Sequence, residues 1–238
     1  MDREPVAPYL VGGAFAGLED GAALFAERVL ALLPLGVERR VLEIGSGTGD
    51  VALRLQTERP KACVVGVDFA MTNVVAARAK ASARRPAFVC ADYLAWQGGR
   101  FDLIAADSVL HLLDAPLPQV AAKLAADLVP GGLVVATVPD AGIVNRLHLL
   151  LRRFWRLTPA SSDHMALALG TFLYPGAPQA ALTDRLPYLR LLPRLFGAAV
   201  HRAFADAGLT LDCNERWPSP SLVKPRHRLM VWRRVRDS

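Results

Sequence analysis

Cysteine is scarce in this chain. Cys63, Cys90 and Cys213 are odd in number and far apart. They form neither a disulfide frame nor a metal site and read as reduced core residues. No uninterrupted apolar run approaches the ~18 residues that span a bilayer. The first residues, Met1-Asp-Arg-Glu-Pro-Val6, have no signal-peptide core behind them, so a cytoplasmic location is expected. Internal repeats and low-complexity segments are absent. Lysine is rare: the basic residues are overwhelmingly arginine, and with abundant alanine they fit a GC-rich genome. That composition blunts the meaning of the net charge of +6, which would otherwise point to nucleic acid or a membrane surface. What is plentiful is apolar. Hydrophobic residues make up 53% of 238, enough for a sizeable core and too many for a disordered chain. The length suits one domain with an elaboration.

The stretch Val41-Leu-Glu-Ile-Gly-Ser-Gly-Thr-Gly-Asp50 organises the rest. Val41, Leu42 and Ile44 have the character of a buried strand. Gly45, Gly47 and Gly49 follow at alternate positions around Ser46, leaving no Cβ where a ligand could lie against the backbone. Val51–Gln56 then has helical composition. Strand, glycine turn and helix form the ligand-binding corner of a doubly wound α/β sheet. The dinucleotide fingerprint needs G-x-G-x-x-G, but here the glycines run G-x-G-x-G, with Asp50 at the third position. Glu43 stands two residues before the first glycine. A carboxylate there repels a pyrophosphate and attracts a cationic ligand.

This Glu-x-Gly-x-Gly-x-Gly pattern resembles the first motif of class I S-adenosylmethionine-dependent methyltransferases, whose cosubstrate carries a sulfonium and an ammonium. The resemblance extends over residues 22–139. The second strand, Cys63–Val67, ends at Asp68, about 20 positions past the turn, where a carboxylate can accept hydrogen bonds from a ribose diol. An N-cap for the following helix is the other use of that residue. A helix continues from Ala76 to Arg85. The third strand, Ala87–Cys90, closes in Asp92 and Tyr93. In the resembling family an acidic residue here accepts from the adenine amino group, with Tyr93 or Phe69 flanking the base. Asp is also simply a favoured turn residue. The fourth strand runs into Asp107-Ser-Val-Leu-His-Leu-Leu113, which has no Pro-Pro-aromatic clamp for a flipped base. The family's nucleobase-modifying members often carry that clamp, so nucleic acid is not expected as a partner. Pro130-Gly131-Gly132 makes a turn before a fifth strand, Leu133–Val138.

Residues 140–193 intervene where a minimal sheet would need only one helix. Ala141 to Leu157 reads as a basic amphipathic helix. Ile143, Val144, Leu147, Leu150, Leu151, Phe154, Trp155 and Leu157 share one face, and Arg146, Arg152, Arg153 and Arg156 share the other. Sequence divides the chain into an N-terminal flap (1–20), a cosubstrate-binding core (21–139), a helical acceptor lid (140–193) and a C-terminal helix with two strands (194–238). The expected fold is a seven-stranded doubly wound sheet with helices on both faces, its last strand antiparallel and the lid inserted after strand 5.

The expected activity is methyl transfer from S-adenosyl-L-methionine to a small, largely apolar metabolite. The favoured reading has the apolar face of the lid closing over the acceptor with the arginines outside. The alternative has the arginines pointing inward to hold an acceptor's phosphate or carboxylate, for which the guanidinium fork is suited. A membrane-associated enzyme acting on a lipid or quinone precursor is the second reading; a nucleotide-binding reductase or a non-catalytic binding module stands behind both. Cosubstrate candidates are Glu43, Gly45, Ser46, Gly47, Gly49, Asp68, Phe69, Asp92, Tyr93 and Asp107. His111, His164 and Tyr174 are the nominees for proton acceptor near the transferred methyl. No metal is expected, and peripheral membrane contact stays open.

Overall fold

Short β-branched runs separated by glycine and proline set the strands, and apolar residues at helical spacing set the helices between them. The computed structural model describes residues 19–82, 85–159, 163–173, 179–183, 192–218 and 225–236. In chain order the elements are α1 (Glu19–Leu32), β1 (Arg40–Ile44), α2 (Asp50–Glu58), β2 (Cys63–Asp68), α3 (Met71–Lys80), β3 (Ala87–Cys90) and β4 (Phe101–Asp107). A 3-10 turn (Leu110–Leu112), α4 (Leu117–Ala126), β5 (Leu128–Pro139), α5 (Ile143–Arg156), α6 (Asp163–Leu173) and α7 (Gln179–Thr183) follow. The chain then forms α8 (Ala198–Asp206), β6 (Leu209–Arg216) and β7 (His227–Arg234). The expected N-terminal flap lies almost wholly outside the described residues.

The seven strands form one sheet in the order β3-β2-β1-β4-β5-β7-β6. The first five pair in parallel, and β7 runs antiparallel between β5 and β6, as expected. Strand order reverses between β1 and β4. At such a switch point open α/β sheets bind ligands outside the carboxyl ends of their strands. Alternation along each strand splits the core into two. Leu42, Ile44, Ile104, Val134 and Trp232 face α4 and α8. Val41, Leu103, Val135 and Val231 face α1, α2 and α3. Trp232 is fully buried, its ring centroid 4.8 Å from that of Phe204. Arg59 satisfies the last carbonyls of the first helical layer, donating to Leu30 O at 2.8 Å and Leu33 O at 2.9 Å.

Two local expectations shift. α3 stops at Lys80 rather than Arg85, in keeping with the residue before Pro86 being kept out of helical conformation. Pro130-Gly131-Gly132 does not precede β5 but lies within it. Phe101 pairs with Leu128 and Leu103 with Leu133, so the intervening residues bulge out, with Gly131 at φ 80°.

The larger difference concerns α5. Its polar side, not its apolar one, turns toward the sheet. Asn145 is buried and donates from Nδ2 to Arg226 O (2.6 Å), Asp140 O (2.9 Å) and Asp140 Oδ1 (2.9 Å). Its Oδ1 accepts from Arg226 N at 2.8 Å. These bonds tie the first turn of α5 to the ends of β5 and β7 and fix the helix rotation. The opposite arc, with Ile143, Leu147, Leu150, Leu151, Phe154 and Leu157, is left exposed.

Gly66, in the middle of β2, gives a test of how tightly the sheet supports the glycine turn. A Cβ there would sit 2.7 Å from Phe88 Cδ1 and 2.8 Å from Ser46 Cβ. Gly66→Ala should cost about 1–3 kcal/mol by overpacking, read as a fall in Tm of roughly 2–4 °C per kcal/mol for a chain this long. A Tm equal to wild type would show that the sheet yields at this point.

Candidate active site

The glycine turn takes its shape from three left-handed residues, Gly45, Gly47 and Gly49, at φ 67°, 51° and 84°. At Gly45 space is also short: a Cβ would lie 2.3 Å from Val109 Cγ2, so the turn presses against the segment that leaves β4. Gly45 N and Ser46 N both donate to Val67 O, at 2.7 and 3.1 Å. Gly47 N donates to Asp68 Oδ2 at 2.8 Å. The other oxygen of Asp68 accepts from Ala70 N at 2.8 Å and Asn73 Nδ2 at 3.3 Å. Asp68 is not the N-cap of α3, which is Ala70, but it holds the amide of that residue and braces the turn as well. A carboxylate has about four acceptor positions, so these bonds leave capacity for a ligand hydroxyl.

Carboxylates crowd the turn. Glu43 is 3% exposed and accepts from Ala52 N at 2.9 Å, at the start of α2. Burial pushes its carboxyl well above the usual range, and the charges of Asp107, Asp50 and Asp68 push it further. Asp107, at the end of β4, is likewise raised by burial, against the opposing effect of hydrogen bonds from the Thr137 and Ser108 hydroxyls. Ser108 adopts φ 56°, a left-handed conformation rare outside glycine. Its amide is held by Thr137 Oγ1 at 2.8 Å. Strain of this kind persists where the surroundings over-determine it, commonly beside a ligand.

The remaining candidates for the cosubstrate divide. Asp92 is exposed at the end of β3, with Oδ1 accepting from Leu94 N at 3.0 Å, so it does serve its turn. Phe69 is exposed at the end of β2 and could cover a flat ligand. Tyr93 does not belong with them. It is 3% exposed, packed in the core with Lys123 Nζ 5.0 Å from its ring centroid. Burial and the Asp127 carboxylate raise its phenol strongly. A ring at that position, one residue past Asp92, points into the core on the α4 side rather than toward a base.

A small, half-open cleft of about 60 Å³ lies between the 3-10 turn, α5 and β7. His111, Asn145, His148, Arg152 and His227 line it, together with prolines and leucines. His111 and His227 meet edge to face with ring centroids 6.0 Å apart. Burial, then His227 and Arg152, pull the His111 imidazole down to about 3. His227 is lowered too, again chiefly by burial. Both rings are therefore uncharged at neutral pH, and His111 is too weak a base to collect a proton there. His164 lies on an exposed part of α6 and is not among the residues lining this cleft. Tyr174 lies outside the described residues. Arg152 faces the cleft, contrary to the expectation that the α5 arginines all stay outside.

Comparison with known proteins decides the family. Residues 41–132 match a methyltransferase domain. The chain is 30% identical over 207 residues to trans-aconitate 2-methyltransferase of Methylobacterium radiotolerans, covering 83% of this chain and 75% of that one. The chain belongs to the class I S-adenosylmethionine-dependent methyltransferases. The fold agrees with an S-adenosylmethionine-dependent methyltransferase from Mesorhizobium loti, at TM-score 0.61 and 17% identity, over 92% of this chain and 100% of that one. It also agrees with the magnesium protoporphyrin IX methyltransferase of Synechocystis with bound S-adenosylhomocysteine, at TM-score 0.60 and 16% identity, over 92% and 84% of the two chains.

The groove of this methyltransferase fits its cosubstrate. A sulfonium and an ammonium suit a groove whose buried carboxyl, Glu43, already lies in the field of Asp107, Asp50 and Asp68. The glycine backbone permits close approach, and the Ser46 hydroxyl is buried with no partner among the described residues. Sequence reading missed Ser108, Thr137, Asn145 and His227. Only Thr137 left a trace, as the one polar residue in the apolar run Leu133–Val138.

Glu43 supplies the test. Because its folded-state carboxyl is raised, ionising it costs stability as the pH climbs past the ordinary carboxyl range. Glu43→Gln should raise the Tm of the free enzyme at pH 8, and the gain should vanish at pH values low enough to protonate Glu43 in both folded and unfolded chains. The same variant should bind S-adenosylmethionine about tenfold more weakly by calorimetry, the scale of one charge-assisted hydrogen bond. A lower Tm at pH 8 with unchanged affinity would place Glu43 in a purely structural role.

Proposed function

We propose that this methyltransferase esterifies a small carboxylate acceptor held in the cleft between the 3-10 turn, α5 and β7. The observation that carries this reading is the charge of the cleft: an arginine, Arg152, beside two imidazoles held neutral. A carboxylate is already an anion at neutral pH and needs no base, whereas a phenol or an ammonium would need a proton acceptor that His111 does not provide. The name of the Methylobacterium relative, with aconitate as its acceptor, supports the same chemistry. The expectation of a largely apolar acceptor loses its basis, since the apolar arc of α5 faces away from the cleft.

Glu43, Ser46, Gly47 and Asp68 hold the amino-acid and ribose portions of S-adenosylmethionine, and Asp92 and Phe69 the adenine. When bound, the cosubstrate supplies a methyl carbon on a positively charged sulfur. An acceptor carboxylate oxygen forms the bond to that carbon as the carbon–sulfur pair stays on sulfur; a methyl ester leaves and no proton is released. Arg152 orients the acceptor, for which the guanidinium fork is suited. His111 and His227 contribute hydrogen bonds as neutral rings and narrow the cleft. Alignment and exclusion of water supply most of the rate, because charge disperses rather than builds up as the methyl moves. Asn145 holds α5, and with it Arg152, over the site.

A panel of di- and tricarboxylic acids, trans-aconitate among them, assayed with labelled S-adenosylmethionine, should reveal methyl esters. Arg152→Gln should raise the KM of the best acid roughly 10- to 100-fold with a smaller change in kcat. At saturating S-adenosylmethionine, turnover should be flat from pH 6 to 8, since His111 stays neutral throughout. Methylation confined to neutral phenols, with a rising pH limb, would contradict the proposal.

A further inference from the structure

The apolar arc of α5 has no covering partner among the described residues. Ile143, Leu147, Leu150, Leu151, Phe154 and Leu157 are each 56 to 85% exposed. They lie opposite Asn145, the residue that fixes the helix rotation, and so cannot turn inward without breaking its four hydrogen bonds. Arg146 and Arg153 flank the arc along one edge, both exposed, with Arg156 further round. From Ala141 to Leu157 there is no acidic residue.

From this we infer that α5 seats the enzyme on an anionic lipid surface. A broad apolar arc bordered by arginines, on a helix of low overall hydrophobicity, is the pattern of helices that lie in a membrane interface with the apolar side sunk among the acyl chains. Charge selects the occupant. Pairing α5 with a second copy of itself would bring two sets of arginines together with no carboxylate on either helix to offset them. Anionic headgroups offset them directly. No helix among the described residues is long and apolar enough to cross a membrane, so contact of this kind would be peripheral. The cleft with Arg152 opens on the opposite side of the same helix, so seating α5 leaves the acceptor site facing the protein's own sheet. This inference does not depend on the identity of the acceptor.

Co-sedimentation of the full chain with vesicles tests it. Vesicles of phosphatidylcholine with about one-third phosphatidylglycerol should bind the protein, and pure phosphatidylcholine vesicles should bind it at least tenfold more weakly. Raising the salt to about 0.5 M should release most of it. Leu150→Glu/Phe154→Glu should abolish binding, and Arg146→Gln/Arg153→Gln should weaken it about tenfold. Both variants should keep the wild-type Tm, because the altered side chains are exposed. Three outcomes would overturn the inference. One is no binding to anionic vesicles. Another is a large drop in Tm for Leu150→Glu/Phe154→Glu, which would mean the arc is covered within the protein. The third is a dimer by light scattering that this variant dissociates, which would make the arc a contact between copies.

Discussion

Everything in the cosubstrate half of this enzyme depends on two carboxylates that grip backbone amides on either side of a glycine turn. Glu43 accepts from Ala52 N at the start of α2, and Asp68 accepts from Gly47 N inside the turn and Ala70 N at the start of α3. With Val67 O taking the amides of Gly45 and Ser46, the turn is bound to β2 through both side chain and main chain. The left-handed glycines make the shape accessible; the carboxylates make it the one adopted. Their cost is electrostatic. Glu43 is buried, and the charges of Asp107, Asp50 and Asp68 all bear on it. A cation is the natural relief, and the cosubstrate of this family is one.

The acceptor side follows a different constraint. Asn145, one buried amide, satisfies main-chain and side-chain groups of Asp140, just past β5, and Arg226, at the entry to β7. Each such bond contributes about 0.5–1.5 kcal/mol net, and leaving any of these buried groups unpaired costs more. These bonds hold the rotation of a fourteen-residue helix and leave its apolar arc outward. The consequence is a helix that brings Arg152 and His148 to the cleft and presents leucines outward. One anchoring residue therefore sets both the charge of the acceptor site and the character of the outer surface.

Sequence made the nucleotide half legible because its signals are local. A strand, a glycine turn and a helix are contiguous, and Asp68, Asp92 and Asp107 each end a recognisable apolar run. The acceptor half is built from residues distant in the chain, so its signals are not local. His111, Asn145 and His227 come together only through sheet order, with β7 inserted between β5 and β6. Periodicity showed which residues of α5 share a face but not which face turns inward, because a single asparagine decides that. Tyr93 shows the same limit at short range. Adjacent positions at a strand end can point one residue to the crevice and the next to the core, and Lys123, thirty residues on, supplies its packing.

The cosubstrate site is acidic before S-adenosylmethionine arrives and satisfied afterwards. Calorimetric titration with S-adenosylmethionine at mildly acidic pH, repeated in buffers of different ionisation enthalpy, reads this directly. Glu43 and Asp107, raised in the free enzyme, should lose protons as the cation binds, so net proton release should accompany binding and shrink toward zero as the pH rises above neutrality. Binding with no proton exchange at any pH, or with proton uptake, would contradict the claim that these buried carboxylates meet the positive charge of the cosubstrate.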